Sequence, residues 1–157
     1  MATRQFTIKR IDGLRESDRR AVVFPCCPAD KWIDAELHYC RLNWKGEREL
    51  LGRFDHWIDG GTADKYFHGW PGDANYTKCF VLKRQRHRFY GFLFHPTLVS
   101  NPRFQVCVLV SHAMKAEWET DRGELDLVNS MLNDPNVQTA IVREFPETQK
   151  GTGRWLN

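Results

Sequence analysis

No run in this sequence is apolar for long enough to cross a bilayer. Its longest apolar stretches, residues 89–94 and 104–110, stop far short of the roughly 20 residues that a membrane helix requires. The opening residues Met1-Ala2-Thr3-Arg4-Gln5 form no apolar signal region, so the expected location is cytoplasmic, with no membrane partner. Paired cysteines are missing too. The count is five, Cys26 and Cys27 are adjacent, and Cys40, Cys79 and Cys107 are scattered without Cys-x-x-Cys spacing, which argues against a disulfide scaffold and the usual redox motif. His38 and Cys40 would leave a helix on different sides, and His56, His68, His87 and His95 lack ligand spacing, so no metal and no other cofactor is expected. Glycine-rich phosphate loops are equally absent. Gly60-Gly61-Thr62 follows a helical segment instead of opening one, and no serine sits in a Gly-x-Ser-x-Gly elbow.

Neither sign of charge dominates. Against 20 Asp and Glu stand 23 Lys and Arg, a net charge of +3 that by itself says little about nucleic acid. The distribution says more: Lys78, Lys83, Arg84, Arg86 and Arg88 fall between positions 78 and 88 without one acid, whereas Glu117, Glu119, Asp121, Glu124, Asp126 and Asp134 crowd a later stretch.

What is present is enough to fold. A chain of 157 residues, 41% of them hydrophobic, supports one core. It shows no repeat and no linker, so it reads as a single domain over 1–157, with 145–157 a loose C-terminal tail in which Trp155 is the candidate anchor. A strand is expected over residues 5–11 with Phe6 and Ile8 on one face, then a short strand over 21–24 closed by Pro25 and Pro28. Helical spacing follows through Ile33, Leu37, Cys40 and Trp44, with Gly46 as a break. A second helix over residues 47–59 aligns Leu50, Phe54, Trp57 and Ile58 and stops at Gly60-Gly61. Residues 62–75 read as an irregular aromatic loop. Three strands then form an antiparallel meander over 76–84, 88–95 and 103–112, the last apolar on both faces and therefore central. Asp121 with Glu124 resembles a capping box ahead of Leu125, Val128 and Leu132, and Asp134-Pro135 starts a short helix carrying Val137 and Ile141.

Two constellations point to chemistry. Strand alternation puts Arg86, Arg88 and Tyr90 on one face, beside Arg84. Guanidinium groups hold phosphate oxygens bidentately, and an aromatic ring offers an exposed base a stacking platform, the combination suited to single-stranded RNA. The plainer reading is a solvated turn with Tyr90 half in the core. The second constellation is Ser111, His112 and Lys115 where the last strand runs out: an imidazole exchanges protons near neutral pH, and a lysine stabilises negative charge. Its plainer reading is a histidine at the sheet edge and a solvated lysine.

Three strings and the opening of one helix carry a family likeness: Cys79-Phe80-Val81-Leu82-Lys83, Arg88-Phe89-Tyr90-Gly91-Phe92, Val108-Leu109-Val110-Ser111-His112-Ala113-Met114-Lys115, and Glu124-Leu125. With the order strand, helix, helix, meander, helix, the chain resembles the RelE/HigB-type toxin superfamily of bacterial toxin–antitoxin systems. The resemblance implies an α+β fold, a twisted mostly antiparallel sheet with a helical hairpin packed on one face. It also implies a hydrolase of the endoribonuclease type, an mRNA interferase that cuts mRNA, on the ribosome in that family, by attack of the 2′-hydroxyl. RNA or the ribosome and a small antitoxin protein would be the partners. On that reading Arg84, Arg86 and Arg88 hold phosphate, His112 transfers a proton, Lys115 stabilises the developing charge and Tyr90 stacks or orients a base. The alternative on the same scaffold is a non-catalytic interaction protein binding a partner protein or nucleic acid. Lys115 is followed by Ala116 and then Glu117-Trp118-Glu119, acids that favour this alternative because they stand where a nuclease needs positive charge.

Overall fold

Leu50, Phe54, Trp57 and Ile58 recur at three- and four-residue spacing, and in the computed structural model they form the buried stripe of helix α1 (Trp44–Ile58). The structure describes residues 5–11, 13–26, 44–61, 66–114 and 122–147. The expected first helix of the hairpin, with Ile33, Leu37 and Cys40, lies outside these residues, as do the end of the C-terminal tail and Trp155. Gly46, expected as a break, falls inside the first turn of α1. First-turn N–H groups have no intrahelical partner in any helix, so a weak helix former costs little there. The helix ends at Gly60, which takes a left-handed φ of 99°. Gly60 N–H donates to Trp57 O at 2.9 Å and Gly61 N–H to His56 O at 2.8 Å, the paired bonds of a Schellman stop.

Six strands make one sheet: β1 (Thr7–Arg10), β2 (Arg20–Cys26), β3 (Phe67–Gly69), β4 (Cys79–Arg84), β5 (His87–Phe94) and β6 (Gln105–Met114), in the order β1-β2-β6-β5-β4-β3. β2 pairs with β6 in parallel and every other neighbour is antiparallel, so the fold is α+β with a mixed sheet. β3 emerges from the expected irregular loop, where Phe67, His68 and Gly69 pair with Leu82, Val81 and Phe80. β2 runs through Pro25 instead of ending at it. The described pairing to β6 stops at Val23, so the missing N–H of Pro25 breaks no bond on that side, and opposite it stands Ile8 of β1.

Helices α2 (Arg122–Leu132) and α3 (Pro135–Glu144) follow the meander. Asp134 caps α3 by accepting from Asn136 N–H at 2.8 Å, and Pro135 opens the helix where no N–H is needed. The helix expected on one face of the sheet packs there, and the two that follow the meander cover the other face. α1 covers one face, through Leu50, Phe54, Trp57 and Ile58 with Phe80, Leu82, Phe89, Cys107 and Leu109. α2 and α3 cover the other, through Leu125, Val128, Val137 and Ile141 with Val81, Tyr90, Phe92, Val106 and Val108. The reason lies in β6, whose alternate positions are apolar on both sides and therefore require cover on both. The tail also begins later than expected: Phe145 is buried with its ring 5.5 Å from that of Phe104, and Glu147 accepts from Val99 N–H, Ser100 N–H and Ser100 Oγ.

Candidate functional site at the basic hairpin

Gln85 and Arg86 form a two-residue turn between β4 and β5, because Arg84 pairs directly with His87. Gln85 takes a positive φ of 53°, as the first central residue of a tight hairpin turn requires. Arg86 therefore leaves the strand alternation that would have set it beside Arg88 and Tyr90. It stands exposed at the tip of the turn, with Lys83 and Arg88 half-buried on either side.

A bulge then decides what faces what. Tyr90 pairs with Ser111 but Gly91 pairs with Leu109, leaving Val110 as the extra residue on β6. The strand past Val110 is thereby inverted: Ser111 and Ala113 lie with Tyr90 and Arg88 on the α2–α3 face, whereas His112 lies with Phe89 and His87 on the α1 face. Gly91 permits this approach. A Cβ there would stand 2.3 Å from Val108 O and 3.1 Å from Leu109 Cα, backbone atoms that cannot swing aside.

The proposed site residues consequently divide. Arg88 and His112 belong to opposite faces of the sheet. Arg88 curls back to the turn, its Nη1 donating to Gln85 O at 2.7 Å and His87 O at 3.1 Å, and burial lowers its pKa while Tyr90 acts in the opposite sense. Tyr90 is only 2% exposed, stacked at 6.4 Å on Trp70, so its ring offers no platform to a base. Arg84 is also buried, and its Nη2 donates to Glu49 of α1 at 3.2 Å. A buried guanidinium paired with a half-buried carboxylate has its charge matched internally, which takes Arg84 out of the set available to phosphate. Lys115, and with it Glu117, Glu119 and Asp121, lies outside the described residues.

One contact was not foreseen. His87 Nδ1 and His112 Nε2 lie 3.0 Å apart, with the His112 ring 5.0 Å from Phe89. At that distance one imidazole donates and the other accepts, so the pair shares one proton, and a second proton would remove the acceptor. The two histidines are far apart in the chain, and only the register across the bulge joins them. Among the described residues no three side chains of the metal-ligating types cluster, and no helix is long and apolar enough to cross a membrane. No protein-family model matches the chain, and no curated protein or solved structure matches it either.

Proposed function

We propose that the protein is a non-catalytic interaction protein on a RelE-like scaffold, and that it binds RNA phosphates on the turn between β4 and β5. The observation that carries this reading is the exposed Arg86 at the tip of a turn with Lys83 and Arg88 beside it and no acid from Lys78 to Arg88. The divergence of Arg88 from His112 and the burial of Tyr90 support binding over cleavage, since transfer chemistry needs phosphate anchor, base and acid around one reacting centre. The RelE-like reading is supported by an amphipathic helix ahead of the antiparallel β4-β5-β6 meander and a further helix after it.

A second reading keeps the endoribonuclease. The His87–His112 pair favours it, because attack by a 2′-hydroxyl needs a proton acceptor and a proton donor close together. Fluorescence anisotropy with single-stranded RNA at graded salt separates the two. Binding should weaken with salt, and replacing Arg86 and Arg88 together by Gln should reduce the log–log slope by about 1.4, since each phosphate contact on a single strand contributes about 0.7. An unchanged slope would remove the turn from the binding surface. Cleavage of free or ribosome-bound RNA, lost in His112→Ala, would replace binding with catalysis, and a small antitoxin protein would then be the partner to seek.

A further inference from the structure

The opposite end of α1 from the basic turn carries a cavity that the RNA reading does not use. Arg20 at the start of β2, Trp57 in the last turn of α1, Phe67 and His68 of β3, Phe80 of β4 and the exposed Pro71 surround a space of about 480 Å³. That volume falls within the range of about 300–1,000 Å³ usual for small-molecule sites. Trp57, Phe67, Phe80 and Pro71 make much of its wall apolar.

Arg20 is the exception. Its Nη1 donates to Trp57 O at 2.6 Å and to Gly61 O at 3.3 Å, and its guanidinium carbon lies 4.6 Å from the centre of the Trp57 ring. These contacts hold the group rigidly against the C-terminus of α1. Nε and Nη2 make no hydrogen bond to the described residues and are not sealed from solvent. No carboxylate among the described residues pairs with Arg20. Burial, and after it the like charge of Arg19, lowers the Arg20 pKa. The helix end supplies only about half a negative charge. Among the described residues, a fixed planar cation therefore stands on an apolar wall with less than its full counter-charge, and two of its donor nitrogens find no acceptor there.

We propose that this cavity binds a small organic anion with one oxyanion head and a flat apolar body. The head, a carboxylate or a phosphate, accepts hydrogen bonds from Nε and Nη2 of Arg20, the fork geometry that a guanidinium offers to either group. The body packs against Phe67, Phe80 and Pro71. Both parts are needed: the head alone gains little over water, and the body alone leaves the cation as it was.

Calorimetric titration of the full chain tests this with four probes: benzoate, phenyl phosphate, inorganic phosphate and benzyl alcohol. Benzoate or phenyl phosphate should bind at millimolar concentration or below, and the one that binds more tightly identifies the head group. Inorganic phosphate and benzyl alcohol should each bind at least about tenfold more weakly. Arg20→Gln should lose the aromatic anion by a similar factor. Because Arg20 also caps α1, the decisive variant is Pro71→Glu, which leaves the core alone and puts a negative charge at the rim; it should weaken the aromatic anion by about tenfold or more while leaving RNA binding at the turn unchanged. Failure of both aromatic anions to bind, equal binding of benzyl alcohol, or equal affinity in Pro71→Glu would each overturn the proposal. None of these outcomes bears on the Arg86–Arg88 salt slope.

Discussion

Under α2 and α3 the sheet meets its helices mainly through aliphatic and aromatic side chains; Ser111 is buried there with its Oγ unpaired among the described residues, and Tyr76 and Cys79 reach Asp126 and Asn129 of α2. Under α1 the centre is just as apolar, through Leu50, Phe54, Phe89 and Leu109, but polar side chains collect at both ends of the helix. The Arg84–Glu49 and His87–His112 pairs stand at one end and Arg20 at the other. The contrast separates two jobs. One face is a closed core, and the other combines a core with two margins where charge is held in fixed positions by hydrogen bonds. A buried arginine or histidine is costly unless partnered, so the partners, and not the charges alone, show where this chain departs from pure packing.

The largest test of that comparison lies in the two helix stripes. Phe54 on α1 is fully buried, with its ring edge-on to Phe89 at 6.4 Å, and Leu125 on α2 is buried on the opposite face. Phe54→Ala should cost about 3–5 kcal/mol and Leu125→Ala about 2–5 kcal/mol, read by urea denaturation. Comparable losses would establish both faces as core. A loss below about 1 kcal/mol in Phe54→Ala alone would mean that α1 is only loosely applied and that its polar margins are not rigid.

A smaller effect is expected at the bulge that assigns residues to faces. Gly91→Ala forces a methyl group into the backbone of Val108 and Leu109, at a cost of about 1–3 kcal/mol. The informative readout is local. If the bulge sets the face of His112, the histidine side-chain resonances of His87 and His112 should shift and their mutual contact should weaken, while Tyr76 and Asp126, hydrogen-bonded at 2.8 Å near α2, stay as they are. Unshifted histidine signals would show that the pair forms without the bulge.

Much of the packing was legible because it is written locally. The stripe of α1, the Gly60 stop, the Asp134-Pro135 start of α3 and the two-sided β6 each follow from residues within a few positions of one another. The first strand also shows Phe6 and Ile8 buried, as alternation requires. What escaped depends on distant pairing. Nothing near Ala21 announces a parallel partner at Val106, and nothing near Phe67 announces that a three-residue strand will add to the edge beyond β4. The site suffered most from one residue of slippage. Alternation read without the bulge cannot place His112, and alternation read through the turn sets Arg86 beside Arg88 when it stands at the tip. His87 was visible only as a histidine without ligand spacing, since its partner is another histidine on a strand reached across the sheet.

The smallest expected effect compares one thiol from each face. Cys79 lies on the α2–α3 face, with Sγ 3.5 Å from Asn129 Oδ1 and 3.9 Å from Leu125 O; Cys107 lies on the α1 face, fully buried. Burial raises the pKa of both, first by removing water from the thiolate. For Cys79, where the charges of Asp126 and Asp73 add to burial, the value is pushed up to about 11, and Cys107 is raised further by burial alone. In each case the folded state favours the neutral thiol. The contribution to stability is therefore full below the ordinary thiol value near 9.0 and is lost as pH rises towards the folded value. Alkylation of the native protein at neutral pH, mapped by mass spectrometry, should leave Cys79 and Cys107 unmodified. As pH rises above 9.0 the melting temperature should fall, and part of that fall should disappear in Cys79→Ala, whose alanine keeps the site apolar and removes the titration. Cys107 should contribute at least as much over the same range, because both thiols ionise near 9.0 in the unfolded chain and Cys107 stays neutral to a higher pH in the folded one. Rapid labelling of Cys107 before Cys79 would reverse the order of the two faces, making the α1 layer the one that opens first to solvent.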